Sequence, residues 1–86
     1  MTAMPTVNVR LFASLKEMIG EREITLVLPD GATVRELQVC IGDAYPLVKP
    51  LLPTIVCAVD EEYVPITHTL HEGDVVALIP PVSGGR

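Results

Sequence analysis

The stretch Leu70–Pro81, "LHEGDVVALIPP", decides the fold. Gly73 and Asp74 make a turn, and Val75 to Ile79 follow as an unbroken apolar run. A strand with one wet face alternates apolar and polar residues. A run that is apolar on both phases belongs at the centre of a sheet, covered on more than one side. Pro80 and Pro81 cannot donate ladder hydrogen bonds, so the strand stops there. The rest of the chain must then supply a sheet around this strand.

"TVNVRLFA" (6–13) alternates Val7, Val9 and Leu11 against Asn8 and Arg10, which predicts a strand with one buried face. Phe12 falls off the buried phase and is placed on the opposite face. Ser14 and Glu17 form a capping-box pattern ahead of a short helix "SLKEMIG", and Gly20 stops it. "REITLVLPDG" (22–31) brings Ile24, Leu26 and Leu28 at alternate positions, then a Pro29-Asp30-Gly31 turn. Two strands joined by a brief helical turn predict an antiparallel pair.

"TVRELQVCIGDAYP" (33–46) is the main helix. Thr33 and Glu36 form a second capping box. Val34, Leu37, Ile41 and Ala44 recur at helical spacing and are expected to pack on the sheet, with Cys40 beside them. Gly42 weakens this helix and Pro46 ends it. Pro50 and Pro53 hold "LVKPLLP" as an irregular connector. "TIVCAVD" is a third strand, "EEY" turns the chain, "YVPI" is a short fourth, and Val75–Ile79 is the last.

The order is β, β, main helix, β, short β, β. One helix crosses a mixed sheet of four or five strands, and the helical connection lets the strands around it run parallel. This α+β arrangement is a β-grasp, or ubiquitin-like, fold. It is expected over residues 1–79, with residues 80–86 as a flexible C-terminal tail. No repeats or low-complexity segments occur.

Composition bounds the function. A chain of 86 residues forms one domain and buries roughly 60–65% of its unfolded surface. With 49% apolar and 20% charged residues, disorder is not expected. The net charge of −5 argues against nucleic acid or an anionic membrane surface as partner, since both need clustered Lys and Arg. No apolar run approaches the ~20 residues of a membrane span, and "MTAMPTVNVR" is not a signal peptide. Cys40 and Cys57 lack metal-ligand spacing. Buried free thiols in a reducing cytoplasm fit them better than a disulfide, which the sequence leaves open.

The body of the chain carries no recognisable catalytic pattern. His68 and His71 lie i, i+3 near a loop with no further ligands, and solvated loop histidines are the better reading. Asp60-Glu61-Glu62 reads as a solvated turn rather than a metal site. Ser14 and Ser83 have no paired His and Asp for nucleophilic catalysis. The end of the chain is different. Pro80-Pro81 favours an extended stem. Pro80 to Gly85 can reach about 20 Å from the body. Gly84 and Gly85, without Cβ atoms, fit a slot too narrow for other residues. A terminal Gly-Gly alone is weak evidence, but it gains meaning directly after the last strand of a β-grasp domain.

On "VRLFASLKEMIG", "LPDGATVREL" and "LHEGDVVALIPPVSGG", the chain resembles the small subunits of molybdopterin synthase, within the family of ubiquitin-like sulfur carrier proteins. The likeness runs from about Val7 to Gly85. It implies that a ubiquitin-activating-like enzyme uses ATP to adenylate the Gly85 carboxyl group. A sulfur donor then converts the acyl-adenylate to a thiocarboxylate. That sulfur passes to a cyclic pyranopterin precursor within the large synthase subunit, in a heterotetramer. The carrier is then a cytoplasmic co-substrate, not a catalyst by itself, and binds no cofactor. Phe12, Tyr63 and Ile79 match the family's contact positions for the large subunit, with Pro80, Pro81, Val82 and Ser83 leading to the reactive Gly84-Gly85. Asp60 stands where the family usually has Asn. Arg86 leaves Gly85 without a free carboxyl group. Trimming by a peptidase, an added residue, or a lost carrier activity would each account for it, and the first two rank above the third. Service to another pathway (thiamine, cysteine or tRNA thiolation) and a ubiquitin-like binding module are the alternative functions.

Overall fold

The computed structural model describes residues 4–81. Five strands, β1 (Thr6–Leu11), β2 (Glu23–Val27), β3 (Val56–Val59), β4 (Glu62–Val64) and β5 (Val75–Ile79), form one sheet in the order β2-β1-β5-β3-β4. β5 is central, as its two-phase apolarity predicts. It runs parallel to β1 and antiparallel to β3. β1 and β2 pair antiparallel, as do β3 and β4.

Two α-helices complete the body, α1 (Ala13–Ile19) and α2 (Val34–Ala44). Val7, Val9 and Leu11 of β1 and Val76 and Leu78 of β5 point into the core with Leu15, Leu28, Val34, Leu37, Ile41 and Val48. Alternation along β1 fixes which side is buried, because a one-residue slip would turn every side chain to the other face. The mixed sheet, the crossing α2 and the central C-terminal strand are the β-grasp arrangement.

The start of α1 differs from expectation. Phe12, not Ser14, occupies the cap position, and its carbonyl accepts hydrogen bonds from the Leu15 and Lys16 amides at 3.1 and 3.4 Å. The helix therefore begins two residues early, with Ala13 at φ +51°, and no side-chain cap forms. Gly20 ends it at φ +87°, a left-handed position that suits glycine.

At α2 the predicted capping box is present. The Glu36 carboxylate accepts the Thr33 amide and the Thr33 hydroxyl, both at 2.7 Å. The next amides, of Val34 and Arg35, donate to the carbonyls of His68 and Ile66, each at 3.0 Å. These bonds satisfy the donors that a helix start leaves unpaired and tie the loop before β5 to the helix. Val34, Leu37 and Ile41 are buried as expected, but Ala44 is exposed. Gly42 takes its place on the packed stripe. A Cβ there would meet Leu52 Cδ1 and Lys49 Cγ, each at 3.1 Å. The segment expected as an irregular connector explains this approach, since Pro46–Thr54 is a 3-10 helix packed on α2. Proline's fixed φ near −65° lies within the 3-10 range, so Pro46, Pro50 and Pro53 are compatible with it.

Candidate functional site

The helices cover one side of the sheet. The ladder register identifies the side chains on the other. Asn8 and Arg10 of β1 lie beside Val75 and Ala77 of β5. Across the sheet, Ala77 faces Ala58 and Ile79 faces Val56. Ala58 in turn faces Tyr63. Beyond Leu11 and Leu78, which pair, Phe12 and Ile79 are each the next residue along their strands. Phe12, Tyr63 and Ile79, predicted as contact residues, are therefore gathered on the helix-free side. Tyr63 is 75% exposed and Phe12 44%, while Ile79 is half-buried. Val56, 47% exposed, joins them. Its place on this face was not foreseen, because a lone valine in an apolar strand carries no signal until the register is known.

The middle of this face is hollow. Ala77 has a short side chain, and larger groups stand around it. Arg10, Phe12, Glu23, Asp60, Glu61, Val75 and Ala77 line the depression. Asp60 and Glu61 form the two-residue turn between β3 and β4, both with positive φ, +50° and +74°. Asp60 tolerates this conformation better than Glu61 does. Its amide donates to the Val75 carbonyl at 2.9 Å, and its carboxylate accepts the Val75 amide at 3.3 Å. The turn is thereby fastened to the start of β5.

At the other end of β5, Pro80 is buried and Pro81 is exposed. Strand β5 ends at Ile79, and Pro80 packs against the body. Val82, Ser83, Gly84, Gly85 and Arg86 lie outside the described residues.

The remaining candidates behave as surface or core. His71 is exposed, with Nδ1 4.0 Å from the Asp74 carboxylate, which also accepts the His71 amide at 2.8 Å. His68 is half-buried, and its carbonyl serves the α2 start. Glu61 and Glu62 are solvated. Both cysteines are free, Cys57 buried and Cys40 half-buried. Burial pushes the Cys57 thiol up, against a weaker opposing hydrogen bond from Gln38 at 3.4 Å, so it stays protonated. Among the described residues no polar or charged side chain is buried, and no helix is long and apolar enough to cross a membrane. What the site can do is bind a partner and present whatever follows Pro81.

Fold and site define a β-grasp domain whose central strand carries its C-terminal end out beside an open face of mixed apolar and charged residues. The chain belongs to the ThiS family, which matches residues 9–85. It is 40% identical to the molybdopterin synthase sulfur carrier subunit of Chlamydomonas reinhardtii, over 92% of this chain and 98% of that one. A solved structure from Pyrococcus furiosus, described as a putative molybdopterin converting factor subunit 1, superposes with TM-score 0.82 at 31% identity, covering 91% of this chain and 99% of that one. The protein–protein complex of subunits 1 and 2 of the Helicobacter pylori molybdopterin-converting factor contains a chain that superposes with TM-score 0.65 at 27% identity, covering 93% and 99%.

Proposed function

We propose that this protein is the sulfur carrier subunit of a molybdopterin synthase, acting in molybdenum cofactor biosynthesis as a cytoplasmic co-substrate. The observation that carries the reading is the central strand β5 ending in Pro80-Pro81 and followed in sequence by Gly84-Gly85, inside a family match that runs to residue 85. The relatives named above support it.

The chemistry needs a free carboxyl group at Gly85. A carboxylate is a poor electrophile. An adenylating partner joins it to the α-phosphate of ATP and releases pyrophosphate. Sulfur from a donor, at the oxidation level of sulfide, then displaces AMP and leaves a thiocarboxylate. In the large subunit that sulfur passes to the cyclic pyranopterin precursor. An amide bond to Arg86 occupies the carboxyl group, so the competent carrier is the chain ending at Gly85. The helix-free face, with Phe12, Tyr63, Val56 and Ile79, docks the large subunit, and the chain after Pro81 enters its pocket.

The test is intact mass spectrometry after incubation with the adenylating enzyme, ATP and a sulfur donor. The chain ending at Gly85 gains the mass of one sulfur-for-oxygen exchange, and the chain retaining Arg86 does not. Failure of the Gly85-ending chain to gain it overturns the carrier reading. Gain by the Arg86 chain without prior loss of arginine overturns the assignment of Gly85 as the reactive end.

A further inference from the structure

A second hollow lies where β1 passes into α1, lined by Arg10, Leu11, Phe12, Ala13, Lys16 and Arg22. Three of the chain's six Lys and Arg residues thus border one depression, in a protein of net charge −5. All three are exposed. Among the described residues, His71–Asp74 is the one pairing of a basic side chain with a carboxylate within 4.0 Å, so no carboxylate there reaches these cations at that distance. Glu23 stands opposite Arg10 in the ladder, and Glu17 and Glu21 are close in sequence, but none of the three lines the hollow.

The fold assembles this cluster from separate elements. Arg10 comes from β1, Lys16 from α1, and Arg22 from the link into β2, where its carbonyl accepts the Leu11 amide at 2.9 Å. Like charges brought together repel unless an anion joins them. Arg10 and Phe12 also line the depression on the helix-free face, so the two hollows adjoin and share a wall.

We propose that this basic hollow receives an acidic segment of the protein that covers the helix-free face, with aspartate or glutamate carboxylates seated on Arg10, Lys16 and Arg22. The inference rests on the docking role given to that face above. Arginine forks pair with carboxylates through two parallel hydrogen bonds, and the lysine adds a compact charge. In a carrier that is negative as a whole, a local positive rim decides which edge meets an acidic partner first. It thereby sets the rotation at which Phe12, and the end of β5 beside it, arrive. Such charges act mainly on association rate and register.

Stopped-flow association with the purified large subunit tests this. Lys16→Glu slows association about tenfold or more at low salt. The difference fades as ionic strength approaches 1 M, where the Debye length falls to about 3 Å. Arg22→Gln gives a smaller loss in the same direction. Arg35→Glu places the same charge change on α2, on the covered side, and leaves the rate near that of the parent. Equal slowing by Lys16→Glu and Arg35→Glu, or no slowing by Lys16→Glu, overturns the proposal. Phe12→Asp separates it from the reading beneath. If Phe12→Asp abolishes binding while Lys16→Glu is silent, the acidic segment is wrong and the docking face stands. If Phe12→Asp is silent too, the docking face is wrong. Saturable NMR shifts at Arg10, Lys16 and Arg22 on adding inorganic phosphate alone would make the hollow a small-anion site and overturn the protein occupant.

Discussion

Val76 and Leu78 leave β5 on one side, and Val75, Ala77 and Ile79 leave it on the other. The first pair is fully buried under the helices. The other three are half-buried on a face that the described chain does not cover. Apolarity on both phases therefore has two physical origins in one strand. One side closes the protein's own core. On the proposed function the other is kept for contact with the large subunit, and its partial exposure goes with that role. The two sides should respond to substitution in opposite ways.

Leu78→Ala gives the largest effect. It removes a side chain with no exposed surface and should cost roughly 2–5 kcal/mol, read from urea unfolding. That is a large fraction of the ~5–15 kcal/mol of a typical domain. If Leu78→Ala is mild, the contrast between the faces collapses. Gly42→Leu probes the covered side from its other layer. The gap beneath Leu52 and Lys49 has no room for a branched side chain, and overpacking should cost roughly 1–3 kcal/mol. On the open side, Glu61→Gly should raise stability by about 1 kcal/mol, because glycine adopts φ +74° without the penalty of a Cβ. Tyr63→Ala should change stability by less than about 0.5 kcal/mol while weakening capture by the large subunit in calorimetry.

The smallest effect is a pH dependence at the α2 start. The Thr33 hydroxyl and amide hold the Glu36 carboxyl below its usual range. A carboxylate with a lowered folded-state pKa stabilises above its unfolded pKa, and that support is lost as pH falls through the folded value. Glu36→Gln should flatten that part of the acid limb in urea midpoints measured downward from neutral pH. An unchanged limb would show that the cap bonds do not depend on the charge.

Much of this architecture was legible because its signals are local. Alternation in Val7, Val9 and Leu11 gave a face, Gly20 and Pro46 gave ends, and the Val75–Ile79 run gave the centre of the sheet. Errors arose where distant contacts decide. Ser14 matched a capping pattern, but the chain leaves β1 so that Phe12 takes the cap. Ala44 had helical spacing, but the 3-10 segment packs nearer Gly42. Proline-rich spacing reads as irregular until the prolines' fixed φ is seen to suit a 3-10 turn. Phe12 and Tyr63 were expected as contact residues through family likeness and, for Phe12, strand phase, and the register puts them on the helix-free side. Val56, the hollow over Ala77 and the basic trio needed the register, since they come together only across strands and around a turn.

The central place of β5 has a mechanical consequence. A pull applied beyond Pro81 loads that strand along its length, between four paired positions on β1 and four on β3. Both ladders then resist in shear, many bonds at once, whereas an edge strand would peel open bond by bond. A domain loaded from this end of β5 holds together under a pull that would strip off an edge strand.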